Sequence, residues 1–478
     1  MGKLLGALLL LMVATGSACA VAPSNRAEIQ AALDNYRVAY AQMKGQSIPL
    51  PTSDRNYVIF ADVLRRVLAE HVKPQPADQL VVRALEGATR KRQETPTAND
   101  RQLTEAGLDA MLSSLDPYSA FLDSEHYRFM REQTQGEFGG LGIEVTLDEE
   151  SGLIRVLSPI DGSPASRAGL RAGDLIARID EQEVKGLNLR DAVAKMRGPV
   201  GTSVTLAMRR GAERPFPVVL TRGIVKIQPV RYRLEGNVAH IRISAFNQQT
   251  AHALDEAVMV MRKQAGGKLA GAVLDLRNNP GGLLDQAVNV ADRFLEGGDI
   301  VSVRGRDPDE FRRYTGTPGD LLSGLPIVVL INSGSASASE IVAGALQDHN
   351  RALLFGTRSY GKGSVQTISS LSGNIGIRLT TARYYRPSGA LVDCFGVSPN
   401  LEIKQADLGE ETHPDPATCD ANAPIPPKPR AWRSADLCPD PTVAPMRNAL
   451  LGNEEDPPLT CAIAAIRTRL MGTLIDLR

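Results

Sequence analysis

One stretch constrains this chain more than any other. The apolar run Ile327-Val328-Val329-Leu330-Ile331 leads directly into Asn332-Ser333-Gly334-Ser335-Ala336-Ser337-Ala338-Ser339-Glu340. A helix-like segment follows, with Ile341, Ala345 and Leu346 on one face. Strand, tight small-residue turn and helix are the context of a nucleophile elbow. The helix start turns backbone N–H groups and a positive dipole end toward the turn, which suits a developing oxyanion. The same residues also read as an ordinary helix cap: serine is a common N-cap, and Ser337 with Glu340 fits a capping box. Taken alone, the segment favours that plainer reading.

A serine nucleophile needs a base, and histidine is the commonest. Of the six histidines only His349 lies near the turn in sequence. The local sequence offers lysine instead, in Tyr360-Gly361-Lys362-Gly363-Ser364. Flanking glycines let the backbone approach closely. Lysine is a base only when neutral, a form that burial favours, and a Ser–Lys pair is a known variant of nucleophilic catalysis. Residues 356–362 also fit G-x-x-x-x-G-K, most of a phosphate-binding loop. That motif needs Ser or Thr next and a helix after it; here Gly363 follows, and Ser364-Val365-Gln366-Thr367-Ile368 looks extended.

The surrounding chain alternates short strands with helices. Residues 238–243, 272–276 and 353–355 are apolar strands, and Leu254, Val258 and Met261 share one helix face, so the region predicts an α/β core. Upstream, glycines become frequent between β-type runs: Ile143-Glu144-Val145, Ile154-Arg155-Val156-Leu157, Leu175-Ile176-Ala177-Arg178-Ile179 and Val204-Thr205-Leu206-Ala207-Met208. Earlier still, Ile29, Leu33, Tyr36, Tyr40 and Met43 fall at helical spacing, and Phe60, Leu64 and Val67 mark a second helix. Residues 404–460 are rich in proline and acid and read as a poorly ordered tail or loop-rich appendage. Asp456-Pro457-Pro458-Leu459 could open a short closing helix.

Composition adds three exclusions. At 478 residues with 43% hydrophobic content the chain is multidomain and globular, not wholly disordered. Basic and acidic side chains balance at 54 each, which argues against nucleic-acid binding by bulk electrostatics. Residues 4–14 form an apolar run of eleven, too short for the roughly 20 residues of a membrane span. They end near Ala18-Cys19-Ala20, an A-x-A cleavage pattern, and so predict a secretory signal peptide. Lipid attachment at Cys19 is the weaker alternative, because Gly16 stands where an aliphatic residue is wanted. Cleavage would leave Cys394, Cys419, Cys438 and Cys461. An even count in an exported protein permits two disulfides, with the pairing open and free buried thiols as the alternative.

Three motifs then carry a family resemblance. Gly334-Ser335-Ala336-Ser337-Ala338-Ser339-Glu340-Ile341, Tyr360-Gly361-Lys362-Gly363-Ser364-Val365-Gln366 and Leu274-Asp275-Leu276-Arg277-Asn278-Asn279-Pro280-Gly281-Gly282 resemble the motifs of the carboxyl-terminal processing peptidases in content and order. These are PDZ-containing, tail-specific serine proteases with a Ser–Lys dyad. The resemblance spans roughly residues 55–400. It implies Ser337 as nucleophile, Lys362 as base twenty-five positions later (337 plus 25 is 362) and Gln366 as the residue orienting Lys362. It also implies an oxyanion hole from the N–H of Ala338 and that of Gly281 or Gly282.

The β-rich insert resembles a PDZ domain. Its carboxylate-binding loop would run through Gly139-Gly140-Leu141-Gly142-Ile143, with Leu141, Gly142 and Ile143 receiving the peptide terminus. Ser163-Pro164-Ala165, Ala168-Gly169-Leu170 and Gly173-Asp174 match the rest of that signature. Family members gate the protease through this domain, and Arg197 is the candidate for that coupling, against a plain surface arginine.

The expected fold class is multidomain α/β, with a ClpP/crotonase-like core. It divides into a signal at 1–20, a helical region at 21–135, PDZ at 136–222, a peptidase core at 223–403 and a tail at 404–478. The expected partners are proteins or peptides with free C-termini and no nucleic acid, with an adaptor and a homo-oligomer left open. No metal or cofactor is required. The location is periplasmic or cell-envelope, with membrane association left open. The rival reading is an inactive PDZ scaffold that binds C-terminal tails. One departure stands out: the family's Q-G-x-G run after Pro387-Ser388-Gly389 is replaced by Asp393-Cys394-Phe395-Gly396, with cysteine in place of the first glycine.

Overall fold

Helix caps and apolar stripes build the N-terminal part. In the computed structural model, residues 23–160, 162–211, 214–404, 413–414 and 456–468 are described. The expected signal peptide with Cys19, and most of the tail with Cys419 and Cys438, lie outside the described residues. Two compact units are present: residues 1–121 with 367–372 and 376–380, and residues 122–366 with 373–375 and 381–478.

The first unit contains α1 (Pro23–Met43), α2 (Arg55–Glu70), α3 (Ala77–Glu94) and α4 (Asp100–Ser113). Asp54 caps α2 by accepting from the N–H groups of Asn56 and Tyr57. Asn99 and Gln102 form a reciprocal capping box on α4. The expected stripe of Leu33, Tyr36 and Tyr40 is buried, as are Phe60, Leu64 and Val67, and the Tyr36 and Phe60 rings stack at 3.6 Å. Gly87 lets α3 meet α4, since a Cβ there would lie 2.5 Å from the Ala106 carbonyl oxygen. His71 and Asp116 are bonded at 3.0 Å, and Asp116 also accepts from Ser119 and Thr380.

In the second unit, β1 (Ala120–Leu122) runs into α5 (Ser124–Gln135) and β2 (Glu137–Gly140), with only the last residue of β1 in this unit. The β-domain contains β3 (Ile143–Leu147), β4 (Ile154–Pro159), α6 (Pro164–Arg167), β5 (Leu175–Ile179), β6 (Gln182–Glu183), α7 (Leu189–Met196), β7 (Ser203–Arg209) and β8 (Phe216–Thr221). Its sheet runs β3-β4-β5-β7-β8, leaving β3 at an edge. The strand β9 (Gly223–Lys226) returns to pair with β2.

The core follows as β10 (Val230–Glu235), β11 (Val238–Ile243), α8 (Thr250–Gln264), β12 (Gly271–Asp275), α9 (Leu284–Asp292), β13 (Gly298–Gly305), β14 (Arg312–Gly316), β15 (Ile327–Ile331), α10 (Ala338–Asp348), β16 (Leu353–Gly356), β17 (Ser364–Leu371), β18 (Ile375–Tyr385) and β19 (Leu401–Glu402), with residues 367–371 of β17 and 376–380 of β18 counted in the first unit. Its main sheet runs β10-β11-β12-β15-β16-β19. From β11 onward the strands are parallel. Every residue of β12 and β15 is buried, because both faces of the sheet are covered. One face packs on α8, α9 and α10. The other packs on α11 (Pro457–Arg467), whose Leu459, Ala462, Ile463 and Ile466 meet Val238, Val273, Val328, Leu330 and Phe355. The tail therefore contains the closing helix that Asp456 opens, and this helix is part of the core. Among the described residues no helix is long and apolar enough to cross a membrane.

Candidate active site

Three adjacent parallel strands deliver the candidate residues. At its C-terminal end β12 leads into the Asn278–Gly282 turn, β15 into the serine turn and β16 into the Lys362 loop. Ligand crevices of open α/β sheets form at such strand ends. The three loops are stitched together. Asn278 N–H donates to Asn332 Oδ1 at 2.9 Å, and the Asn279 carbonyl accepts from Ala336 N–H at 2.9 Å. Tyr360 N–H donates to the Ser335 carbonyl at 2.9 Å.

The three serines of the turn separate by environment. Ser335 is buried and donates to the Leu276 carbonyl at 2.8 Å, and Ser339 is buried and donates to the Asn279 carbonyl at 2.9 Å. Ser337, between them, is partly exposed. Its backbone sits at φ 55°, ψ −113°, a left-handed conformation that a serine adopts only under constraint. An ordinary N-cap has extended dihedrals, so this geometry departs from the plain cap and matches a strained elbow.

Glu340 does more than close a capping box. Its carboxylate is fully buried, and Oε2 accepts from the N–H groups of both Ser337 (2.7 Å) and Lys362 (2.9 Å). Oε1 accepts from Ser359 Oγ at 2.5 Å and Gly361 N–H at 2.8 Å. Burial pushes the Glu340 carboxyl above the usual range, while these donors pull the other way. Tyr384 adds a second tie: its hydroxyl donates to the Lys362 carbonyl and lies 3.1 Å from the Ser337 carbonyl. The sequence marked Glu340 only as a cap residue. Tyr384 carried no signal, being one of two adjacent tyrosines on an extended segment.

Gly281 lies against the serine turn, where a Cβ would stand 2.8 Å from Ser337 Cβ and 2.9 Å from Ala338 N. Its own N–H donates to Asn279 Oδ1 at 2.9 Å. The N–H groups of Gly282 and Ala338 have no hydrogen-bond partner among the described residues. Gln366 donates to Ser364 Oγ at 2.9 Å, next to the Lys362 loop in sequence. His349 is held at the C-terminal end of α10, its Nε2 2.7 Å from the Asp299 carbonyl. The loop after Gly356 leads into β17, a strand, so the helix that a phosphate-binding loop needs is not there. Cys394 takes φ 67°, the left-handed region where the family's glycine is unstrained. Cys394 and Cys461 are each disulfide-bonded.

Sequence comparison agrees with this layout. Residues 237–403 match Peptidase family S41, and residues 155–210 match the PDZ domain. A carboxy-terminal-processing protease of Bartonella bacilliformis is 50% identical over 309 residues, covering 64% of this chain and 71% of that protein. The chain belongs to the carboxy-terminal-processing proteases of peptidase family S41. A carboxyl-terminal-processing protease of Synechocystis sp. is 36% identical over 64% of this chain and 72% of its own length. Among solved structures, the photosystem II D1 C-terminal processing protease is 32% identical, covers 73% of this chain and 93% of that one, and superposes with a TM-score of 0.44.

As a serine-type peptidase of this family, the chain has a PDZ domain. Its β3 lies at an edge of the sheet, unpaired on its outer side among the described residues, and Ile143, Val145, Leu189 and Val193 lie half-buried against the domain core. The N–H groups of Leu141 and Gly142 make no hydrogen bond among the described residues. Arg197 is no plain surface residue. Its guanidinium stacks on the Phe138 ring at 3.9 Å and stands 3.6 Å from Glu132 on α5. It thus joins the PDZ domain to α5.

Proposed function

We propose that this protein is an exported serine endopeptidase that captures the C-terminal tail of a polypeptide and cleaves it with a Ser337–Lys362 dyad. The supporting observation is the single Glu340 oxygen that accepts from the N–H groups of both residues, which fixes two positions far apart in sequence side by side. In this mechanism neutral Lys362 takes the Ser337 hydroxyl proton as the oxygen attacks the scissile carbonyl. Lys362 then protonates the leaving amine and later activates water on the acyl-enzyme. The N–H groups of Gly282 and Ala338, both without partners among the described residues, are the oxyanion donors, and Gly281 provides the close wall. The terminal carboxylate of the tail is held by Leu141, Gly142 and Ile143, while β3 pairs with the extended peptide. Export rests on the N-terminal sequence, since residues 1–20 fit a cleaved signal.

Hydrolysis of a peptide with a free C-terminus tests the assignment. Ser337→Ala and Lys362→Ala are each expected to remove cleavage and keep tail binding. Near-normal turnover in Lys362→Ala would sink the dyad. A parent protein that binds tails without cleaving any would favour the scaffold instead.

A further inference from the structure

The oxyanion turn has its root on the far side of the sheet from α8, α9 and α10. Arg277, just before Asn278, is 1% exposed. Its Nε donates to Asp275 Oδ1 at 2.9 Å and its Nη2 to Asp275 Oδ2 at 2.7 Å. The other edge of the guanidinium meets Asp456, with Nη1 to Oδ1 and Nη2 to Oδ2 both at 2.8 Å. Asp275 and Asp456 are 0% and 1% exposed, so the planar group is clamped between two buried carboxylates. Asp456 also accepts from Leu459 N–H at 3.0 Å, so the residue that completes the clamp is the N-cap of α11.

We infer that Asp456 is a positioning residue for catalysis, acting through Arg277 on the turn that carries Gly281 and Gly282. The inference rests on the serine-peptidase reading above and assigns the C-terminal helix a part in it. The physical argument is one of charge and leverage. Arg242 stands 3.5 Å from Asp275 as well, so Asp275 already faces two cations. With Asp456 neutralised, Arg277 keeps one of the two carboxylates that clamp its guanidinium, the balance of buried charge changes, and Arg277 can shift. The next residue, Asn278, is locked at φ 55° and bonded to Asn332, and Asn279 ties the turn to Ile243. Movement of Arg277 therefore displaces a turn whose amides must meet the oxyanion closely, and small displacements there cost catalysis steeply.

Asp456→Asn separates this role from helix capping, because asparagine caps as well as aspartate. The expected result is a kcat about 10- to 100-fold lower with KM within about twofold, the signature of an interaction made only in the transition state. Affinity for a peptide aldehyde, whose adduct carries the oxyanion, should fall in parallel. Tail binding in a Ser337→Ala background should not change. Should the Asn variant fail to fold, Asp456→Glu, which keeps the charge but moves the carboxylate by one methylene, tests the geometric half of the argument: kcat should still fall with KM held, and a parental kcat and aldehyde affinity would overturn the inference. A lower melting temperature with parental kcat and aldehyde affinity would overturn the inference. Ser337→Ala is assayed alongside: turnover there would refute the underlying serine assignment, whereas an inactive Ser337→Ala with a fully active Asp456→Asn would refute the positioning role alone.

Discussion

At the residue scale the site is organised by a buried carboxylate. Glu340 ties the serine turn to the lysine loop through Oε2, which accepts from the N–H groups of Ser337 and Lys362, while Oε1 accepts a hydroxyl and an N–H from Ser359 and Gly361 of the same loop. An amide cannot replace it, because one side would present N–H groups to donors. Glu340→Gln is therefore expected to lose activity almost as fully as Glu340→Ala, about 100-fold in kcat, with tail binding kept. Steady-state kinetics beside a tail-binding assay check this, and a Gln variant within a few-fold of the parent would refute it. The residue scale also shows why the three serines were hard to rank. Their sequence environment is nearly repetitive, and only burial and hydrogen bonding distinguish Ser337 from Ser335 and Ser339.

At the scale of elements, three parallel strand ends place three motifs side by side, and a fourth segment supports them. Gly361 and Gly363 lie on residues 393–394 so closely that a Cβ on Gly363 would stand 2.2 Å from Asp393 N. Cys394 N–H donates to the Gly361 carbonyl at 2.8 Å. The disulfide at Cys394 thus restrains the bed of the Lys362 loop. Reduction is expected to lower kcat by roughly 3- to 10-fold, near 1 kcal/mol of barrier. Cys394→Gly, which removes the disulfide outright, is expected to start near that lowered kcat and to lose most of the response to a reductant. Activity assayed with and without dithiothreitol tests both, and an equal response in the Gly variant would place the sensitivity at Cys461 instead. The strands themselves were legible, because a run such as β15 has no polar residue to face water. Their order in the sheet was not, since β12 and β15 are neighbours with a long intervening segment.

At the scale of the whole molecule, each unit has its own carboxylate anchor, half-buried in the first and fully buried in the second. In the first unit burial pushes Asp116 up, but hydrogen bonds from His71, Ser119, Tyr118 and Thr380 outweigh it and hold its carboxyl well below the usual range. The unfolded value is near 3.9, so this stabilisation is present above about pH 4 and is lost as pH falls further. Asp116→Asn is expected to lower stability at neutral pH by about 2 kcal/mol, with the gap to the parent closing in acid. Urea unfolding across pH measures it, and a gap that stays constant down to about pH 3 would contradict it. In the second unit the anchor is the Asp275–Arg277–Asp456 clamp, which joins the tail to the catalytic sheet. By itself the sequence determined which segments are strands and helices, the PDZ and peptidase motifs, and Ser337 and Lys362 as candidates, because periodicity and short motifs are local properties. Tertiary structure alone decided that Glu340 and Tyr384 bind those two residues together, that Gly282 is the turn glycine whose N–H has no hydrogen-bond partner among the described residues, and that the helix expected in the proline-rich tail belongs to the core. Each depends on groups distant in the chain meeting in space, with a burial and a hydrogen-bond geometry that exist only once the sheet has formed.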